Sequence, residues 1–138
     1  MRYLGLDLGS RTLGISISDP TGLIASSYTI IRHNEEYEKL INDVKEIVLE
    51  KKVDEIVLGL PKNMNNTIGT KGELSYKFKE MLEKSINIPV HLIDERLTTK
   101  QATDILISNN TSRKKRKKVI DSMAATIILQ SYLDKKER

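Results

Sequence analysis

The chain has 138 residues, 38% of them hydrophobic and 30% charged, a balance that predicts a single folded domain over residues 1–138 and excludes a disordered chain. Its net charge is +4, and it has no cysteine, which excludes disulfides, thiolate catalysis and cysteine-ligated zinc. Because no run of about 18 apolar residues is present, we expect a cytoplasmic protein without a membrane span or signal peptide.

The first predicted strand carries a carboxylate where a sheet is usually apolar. Residues 3–9 alternate strictly, with leucines on one face and Asp7 between Gly5 and Gly9 on the other. A buried ionised group costs several kcal/mol unless it is paired or bound to a cation, and the glycines leave room for a bulky ligand. The pattern indicates a metal or phosphate site. The alternative is an edge strand that holds Asp7 in water.

Two further strands follow in an antiparallel meander. The second alternates over residues 13–18 and places Gly14 and Ser16 on the face of Asp7. The segment Asp19-Pro20-Thr21-Gly22 is a turn signal, and the third strand is predicted from Ala25 to Arg32.

Helices and strands then alternate, as 3.6-residue periodicity and short apolar runs indicate. The predicted elements are a helix over 35–51, a strand over 56–60, a polar loop over 61–69, a helix marked by Leu74 and Leu82, a strand over 89–94, a helix capped by Thr98 and Gln101 and continuing through Leu106, and a final helix after a basic run, ending near Leu133. The order βββαβαβαα is typical of a mixed five-stranded α/β sheet in which three antiparallel strands continue into parallel ones.

Two other acidic sites, an adjacent pair and a single residue, are candidate partners of Asp7. Asp94 and Glu95 end the fifth strand, where ligands of α/β sheets gather, but spacing alone does not choose between them, and either could be an acidic helix cap. Asp121 borders the apolar stripe of the last helix, and it could instead occupy the first turn and favour the helix dipole. Ala124 and Ala125 predict that this helix approaches the sheet closely enough to bring Asp121 toward Asp7.

Three converging carboxylates would require a divalent cation, and Mg²⁺ or Mn²⁺ takes such hard oxygen ligands. Two such ions about 3.5–4 Å apart activate water and stabilise the leaving oxygen in phosphodiester hydrolysis. The acidic ligands therefore favour a nuclease.

Several cations and hydroxyls are candidate contacts for phosphate. Ser10, Arg11 and Thr12 follow Asp7 in a turn, and Arg96 could neutralise a carboxylate or reach a phosphate. An unbroken basic run favours nucleic acid as the partner, with a solvated loop as the alternative; it comprises Arg113, Lys114, Lys115, Arg116, Lys117 and Lys118.

Four segments, in order and at suitable spacing along the whole chain, resemble the YqgF family of Holliday-junction resolvases, which is also assigned to pre-16S rRNA processing. They are Gly5-Leu6-Asp7-Leu8-Gly9-Ser10-Arg11-Thr12-Leu13-Gly14, Val57-Leu58-Gly59-Leu60-Pro61, Asp94-Glu95-Arg96-Leu97-Thr98-Thr99 and Asp121-Ser122-Met123-Ala124-Ala125-Thr126-Ile127-Ile128-Leu129-Gln130. The resemblance implies a ribonuclease-H-like fold, Mg²⁺-dependent cleavage of a nucleic-acid backbone, and Asp7, Glu95 and Asp121 as the catalytic, metal-binding carboxylates. One departure is Asn65-Asn66-Thr67, where the family often has an acid and a glycine before the threonine.

Three other functions remain open at this point. The turn after Asp7 also resembles the phosphate-binding turn of the actin and sugar-kinase superfamily, although 138 residues leave no room for the second domain that clamps ATP. A nucleic-acid-binding module without catalysis is another class. Junction resolution normally needs a dimer, and because the sequence offers no obvious apolar patch for one, we expect a monomer that processes RNA, with Tyr3, Tyr28 and Tyr76 as candidate stacking groups.

Overall fold

A computed structural model describes residues 1–61, 69–95 and 113–136, and in the last range it describes side chains from residue 123 onward. The strands are β1 (Tyr3–Leu8), β2 (Thr12–Ser18), β3 (Ala25–Arg32), β4 (Glu55–Leu60) and β5 (Val90–Asp94), and the helices are α1 (Tyr37–Lys51), α2 (Thr70–Ser85) and α3 (Arg113–Lys136). No helix in these ranges combines the length and the apolar content needed to cross a membrane.

The five strands form one mixed sheet in the order β3-β2-β1-β4-β5. β1 pairs with β2, and β2 with β3, in antiparallel fashion, whereas β4 runs parallel to both β1 and β5. This arrangement confirms the predicted fold class. It also shows that the edge-strand alternative for Asp7 is wrong, because β1 is the central strand.

The two faces of the sheet are covered by different helices. Leu4 and Leu6 are buried in the main core together with residues of α1 and α2, among them Val44 and Phe78. The opposite face, which carries Asp7, is covered by α3, whose Leu129 belongs to a second buried cluster. The strict alternation in β1 thus separates the core from the face that holds the carboxylate.

The expected close approach of α3 is confirmed at Ala125. A Cβ on Gly5 would lie 2.7 Å from Leu129 Cβ and 2.9 Å from the Ala125 carbonyl oxygen, so the helix backbone rests almost directly on the strand. The buried Ser16 hydroxyl donates a 2.7 Å hydrogen bond to that same carbonyl. Small residues on both sides of the contact make this packing possible.

The helix boundaries correct two expectations. The residues of the basic run, 113–118, are the first part of α3 and not a loop, while their contact with phosphate rather than solvent stays a prediction. Asp121 is the ninth residue of this helix rather than a first-turn residue. α1 begins at Tyr37, two residues later than predicted, because Glu35 has a left-handed backbone with φ of 66°. The predicted helix from Thr98 and residues 62–68 of the polar loop lie outside the described residues.

Candidate active site

Asp7 and Glu95 meet at the carboxyl ends of two strands that do not neighbour each other. Glu95 directly follows β5, and β4 lies between β5 and β1. At the crossing point β4 has Gly59, where a Cβ would lie 2.7 Å from Glu95 Oε1 and 2.6 Å from Ile128 Cδ1. The missing side chain on β4 therefore lets Glu95 reach across toward Asp7. Sequence reasoning did not assign this role to Gly59, although its place in an otherwise apolar strand was a usable signal.

Glu95 is the member of the pair whose proton affinity is strongly changed. Burial raises the pKa of Glu95 well above the ordinary value, and a hydrogen bond to Asp7 and the charge of Asp7 raise the pKa further. The charge of Asp94 acts in the same direction, whereas Lys71 in the first turn of α2 partly offsets the shift. Lys71 is thus a cation of the site that the sequence patterns did not single out. A divalent cation between the carboxylates would remove the repulsion that the proton now relieves.

The third predicted carboxylate is placed by its helix. α3 runs antiparallel to β1, since Leu129 and Ala125 pack on Gly5 while Tyr132 lies beside Tyr3. Position 121 is one turn before Ala125 on the same helical face, on the side of the sheet where the strands carry Asp7. The side chain of Asp121 lies outside the described residues. Among those described, no group of three or more His, Asp or Glu residues is arranged to hold a metal ion.

The turn after Asp7 is fixed by the end of β3. The Gly9 N–H donates to the Thr12 carbonyl at 2.8 Å, and the His33 N–H donates to the Arg11 carbonyl at 2.9 Å. The His33 ring lies with Nε2 3.0 Å from the Gly9 carbonyl oxygen and Nδ1 3.1 Å from the Glu35 N–H, so Nε2 donates and Nδ1 accepts. No sequence pattern pointed to this role of His33.

The predicted phosphate contacts are only partly described. Ser10, Arg11 and Thr12 are exposed in and after this turn, at the end of the strand that carries Asp7. Arg96 and the side chains of the basic run, residues 113–118, lie outside the described residues. Nothing in the described residues therefore brings the basic run to the carboxylates.

The tyrosines give one correction. Tyr3 is only 3% exposed and packs against Tyr132 with ring centroids 6.0 Å apart, so it does not meet the condition of exposure under which it was a candidate to stack on a base. Tyr28 and Tyr76 are exposed. Lys51 Nζ of α1 lies 5.7 Å from the centroid of the Tyr28 ring, and Tyr28 also contributes to the wall of a groove beside Asp7.

A groove opens beside Asp7, between α3 and the strands β2 and β3. Its volume is about 270 Å³, and Asp7 is the only charged residue among the described residues of its wall. The hydroxyls of Ser27 and Thr126 meet across it at 3.0 Å. Other residues that line the groove are Thr12, Gly14, Ile30 and Ala125.

Comparisons with known proteins agree with this architecture. The structure is similar to that of T. thermophilus RuvC in complex with a Holliday-junction substrate, with a TM-score of 0.66 at 13% identity over 99% of this chain and 96% of the other. At this identity the likeness shows the ribonuclease-H-like fold alone.

Close relatives are similar in sequence over nearly their whole length. A protein of Listeria monocytogenes serotype 4b (strain CLIP80459), provisionally named a pre-16S rRNA nuclease, is 54% identical over 135 residues, which are 97% of this chain and 98% of that protein. A Bacillus subtilis (strain 168) protein of the same name is 51% identical with the same coverage. The family model described as "RuvX: Holliday junction resolvase" matches residues 1–135. The chain therefore belongs to the RuvX family, as the resemblance to YqgF proteins predicted.

Proposed function

We propose that this protein is a metal-dependent nuclease that hydrolyses phosphodiester bonds, with Asp7, Glu95 and Asp121 as its catalytic carboxylates. The observation that carries the proposal is the pairing of Asp7 and Glu95 across Gly59. A glycine inside a strand and a carboxyl group removed from water both cost stability, and such costs are typical of functional sites. Membership of the RuvX family supports the same class of reaction.

The carboxylate oxygens fit Mg²⁺ or Mn²⁺, which supply Lewis acidity and a reactive water in phosphodiester hydrolysis. Asp7 and Glu95 would hold the cation on rigid strand ends, and Asp121 would complete the set from α3. Because burial and the neighbouring Asp7 raise the pKa of Glu95, its carboxyl group would have to lose a proton before it could hold a cation. Ser10, Arg11 and Thr12 would orient the phosphate beside Asp7, and Lys71, Arg96 and the basic run would attract the polyanion.

The substrate we favour is RNA, in the processing of the 5′ end of pre-16S rRNA during ribosome biogenesis in the cytoplasm. The names of the Listeria and Bacillus relatives support this choice. A single site on a monomer is sufficient to trim one strand. Resolution of Holliday junctions is the second candidate, favoured by the description of the family model, and it would require a dimer to place two cuts symmetrically.

The decisive experiment incubates the pure protein with Mg²⁺, Mn²⁺ or EDTA and a panel of structured RNA, single-stranded RNA and four-way DNA junctions. We expect metal-dependent cleavage of RNA and a loss of at least about a hundredfold in the Asp7→Asn variant, since a metal ligand supplies several kcal/mol of transition-state stabilisation.

The matched control is Asp43→Asn, which removes a half-buried carboxylate from α1 on the other side of the sheet. Full activity of Asp7→Asn would contradict the proposed site. Binding without metal-dependent cleavage of any substrate would identify a non-catalytic module. A stable dimer in sedimentation that nicks junctions symmetrically and ignores RNA would reverse the choice of substrate.

A further inference from the structure

A β-bulge in β3 turns one apolar side chain out of the core and into the groove beside Asp7. From Ala25 to Ser27 the strand pairs regularly with β2, but Ile15 is opposite Thr29 while Ser16 is opposite Ser27. Tyr28 is the extra residue. Without it Ile30 would oppose Leu13 and face the main core, whereas with it Ile30 opposes Gly14 and Ile31 packs against that core.

The bulge places Ile30 in one row with the catalytic carboxylate. Asp7 is the partner of Gly14 on β2, and Gly14 is the partner of Ile30 on β3. With neighbouring strands about 4.8 Å apart, the Cα atoms of Asp7 and Ile30 are about 10 Å apart. Because Gly14 has no side chain, no side chain of β2 lies between Asp7 and Ile30 in this row.

More than half of the Ile30 side chain is exposed, which is a large apolar area to leave in water. The Ile30 side chain is 56% exposed in the groove wall. The bulge, which leaves one residue of β3 unpaired, is what places it there. Bulges next to active sites commonly re-aim a side chain toward a ligand. The other described residues of the groove wall are neutral, and those with hydroxyl groups are Thr12, Ser27, Tyr28, Thr29 and Thr126.

These features favour contact with the base of a nucleotide over contact with its phosphate. Among the described residues of the groove wall Asp7 is the only charged one, and its carboxylate repels phosphate oxygens, so without bound metal this part of the groove does not favour the backbone. An apolar side chain and neutral hydroxyls suit the flat face of a base and the edges of its sugar. Arg32, exposed two residues further along the same edge strand, offers a cation for the adjoining phosphate.

We propose that Ile30 is an apolar platform for a nucleobase of the substrate strand, next to the bond that is cleaved. This inference rests on the proposed nuclease function, because it takes the groove beside Asp7 to be the path of the substrate. Ile30 is a substrate-positioning residue that acts on binding and on the placement of the strand.

The test measures the affinity of an Ile30→Ala variant for two fluorescent oligonucleotides of equal length, oligouridylate and a strand whose nucleotides all lack the base. Removal of three side-chain carbons that touch a base should weaken oligouridylate binding by about three- to tenfold and leave binding of the base-free strand unchanged. Ile30→Phe should bind oligouridylate at least as tightly as the wild type, because bases stack on aromatic rings.

The matched control is Ile24→Ala, the same substitution at a residue that is 63% exposed in the turn between β2 and β3. It should bind both strands as the wild type does. Equal affinity of Ile30→Ala and wild type for oligouridylate, or an equal loss on the base-free strand, would overturn the platform. So would a change in oligomeric state by sedimentation, which would identify the β3 edge as a contact between copies of this chain.

The two proposals fail in different ways. A wild-type protein that discriminates the two strands through Ile30 but cleaves nothing with Mg²⁺ or Mn²⁺ would refute the nuclease and leave the base platform standing. Cleavage with no effect of Ile30→Ala on the KM for either strand would do the reverse. Absence of binding to any oligonucleotide would overturn both.

Discussion

Replacing Gly5 by alanine should separate α3 from the sheet. The new Cβ would lie 2.7 Å from Leu129 Cβ and 2.9 Å from the Ala125 carbonyl oxygen, and it would also meet the Ser16 hydroxyl. Two of these three atoms belong to the helix and cannot rotate away. The third belongs to a fully buried side chain whose hydrogen bond to Ala125 would break as it moved.

The crowding at these atoms sets the size of the effect. Forced overpacking costs about 1–3 kcal/mol, and the broken hydrogen bond costs about 1 kcal/mol. The lower chain entropy of alanine in the unfolded state offsets about 0.5–1 kcal/mol, so the net loss of stability is about 1–3 kcal/mol. With an unfolding entropy of about 0.3 kcal/mol/K for a chain of this length, the Tm should fall by about 3–10 °C.

Thermal melts of three proteins decide the matter. The control is Gly14→Ala on the same face of the sheet, where a Cβ would lie 3.6 Å from Ala125 Cβ and 3.7 Å from Asp7 Cβ, both ordinary contacts. Its Tm should stay within about 2 °C of the wild type or rise slightly, because only the entropy of the unfolded state changes. A Gly5→Ala protein that melts within about 2 °C of the wild type, or a Gly14→Ala protein that falls as far, would refute the close packing of α3.

Three further predictions concern the site and its cations. Because Glu95 holds a proton that the metal must displace, affinity for Mn²⁺ measured by calorimetry should rise by about tenfold per pH unit between about pH 5.5 and 8, and an affinity independent of pH would argue against Glu95 as a ligand. The raised pKa of Glu95 also stabilises the metal-free fold below the ordinary glutamate pKa, and this stabilisation is lost as pH rises through the raised value. In EDTA, the Tm of the wild type should therefore fall with rising pH, and that of Glu95→Gln should fall less steeply. An equally steep fall in both proteins would contradict the raised pKa of Glu95. Neutralising residues 114–117 should weaken binding of all sequences alike and reduce the slope of log affinity against log salt by roughly 0.7 for each single-strand phosphate that the variant no longer neutralises, whereas an unchanged slope would mean that these cations touch no phosphate.

Local patterns were sufficient for most of the fold. The alternation around Asp7 and in β2 predicted which residues face the core, because side chains of a strand alternate whatever the strand packs against. The continuous apolar run of β4 predicted a strand covered on both faces, and the structure buries Val57 and Leu58 completely. The start of α3 at Arg113 was missed because six adjacent cations do not favour a helix by themselves. The packing of the later turns on the sheet stabilises the helix, which then extends to these residues.

The site shows where local reasoning ends. The sequence by itself determined that Asp7 is a carboxylate on a strand flanked by glycines and that an acid follows β5. Spacing left Asp94 and Glu95 open and the family resemblance implied Glu95, but how Glu95 reaches Asp7 depended on the pairing of β4 and β5 and on the open space above Gly59, and the entry of Ile30 into the groove depended on the bulge at Tyr28. Only the tertiary structure decided these points, because they are set by register and packing between segments far apart in the chain, on which periodicity within one segment carries no information.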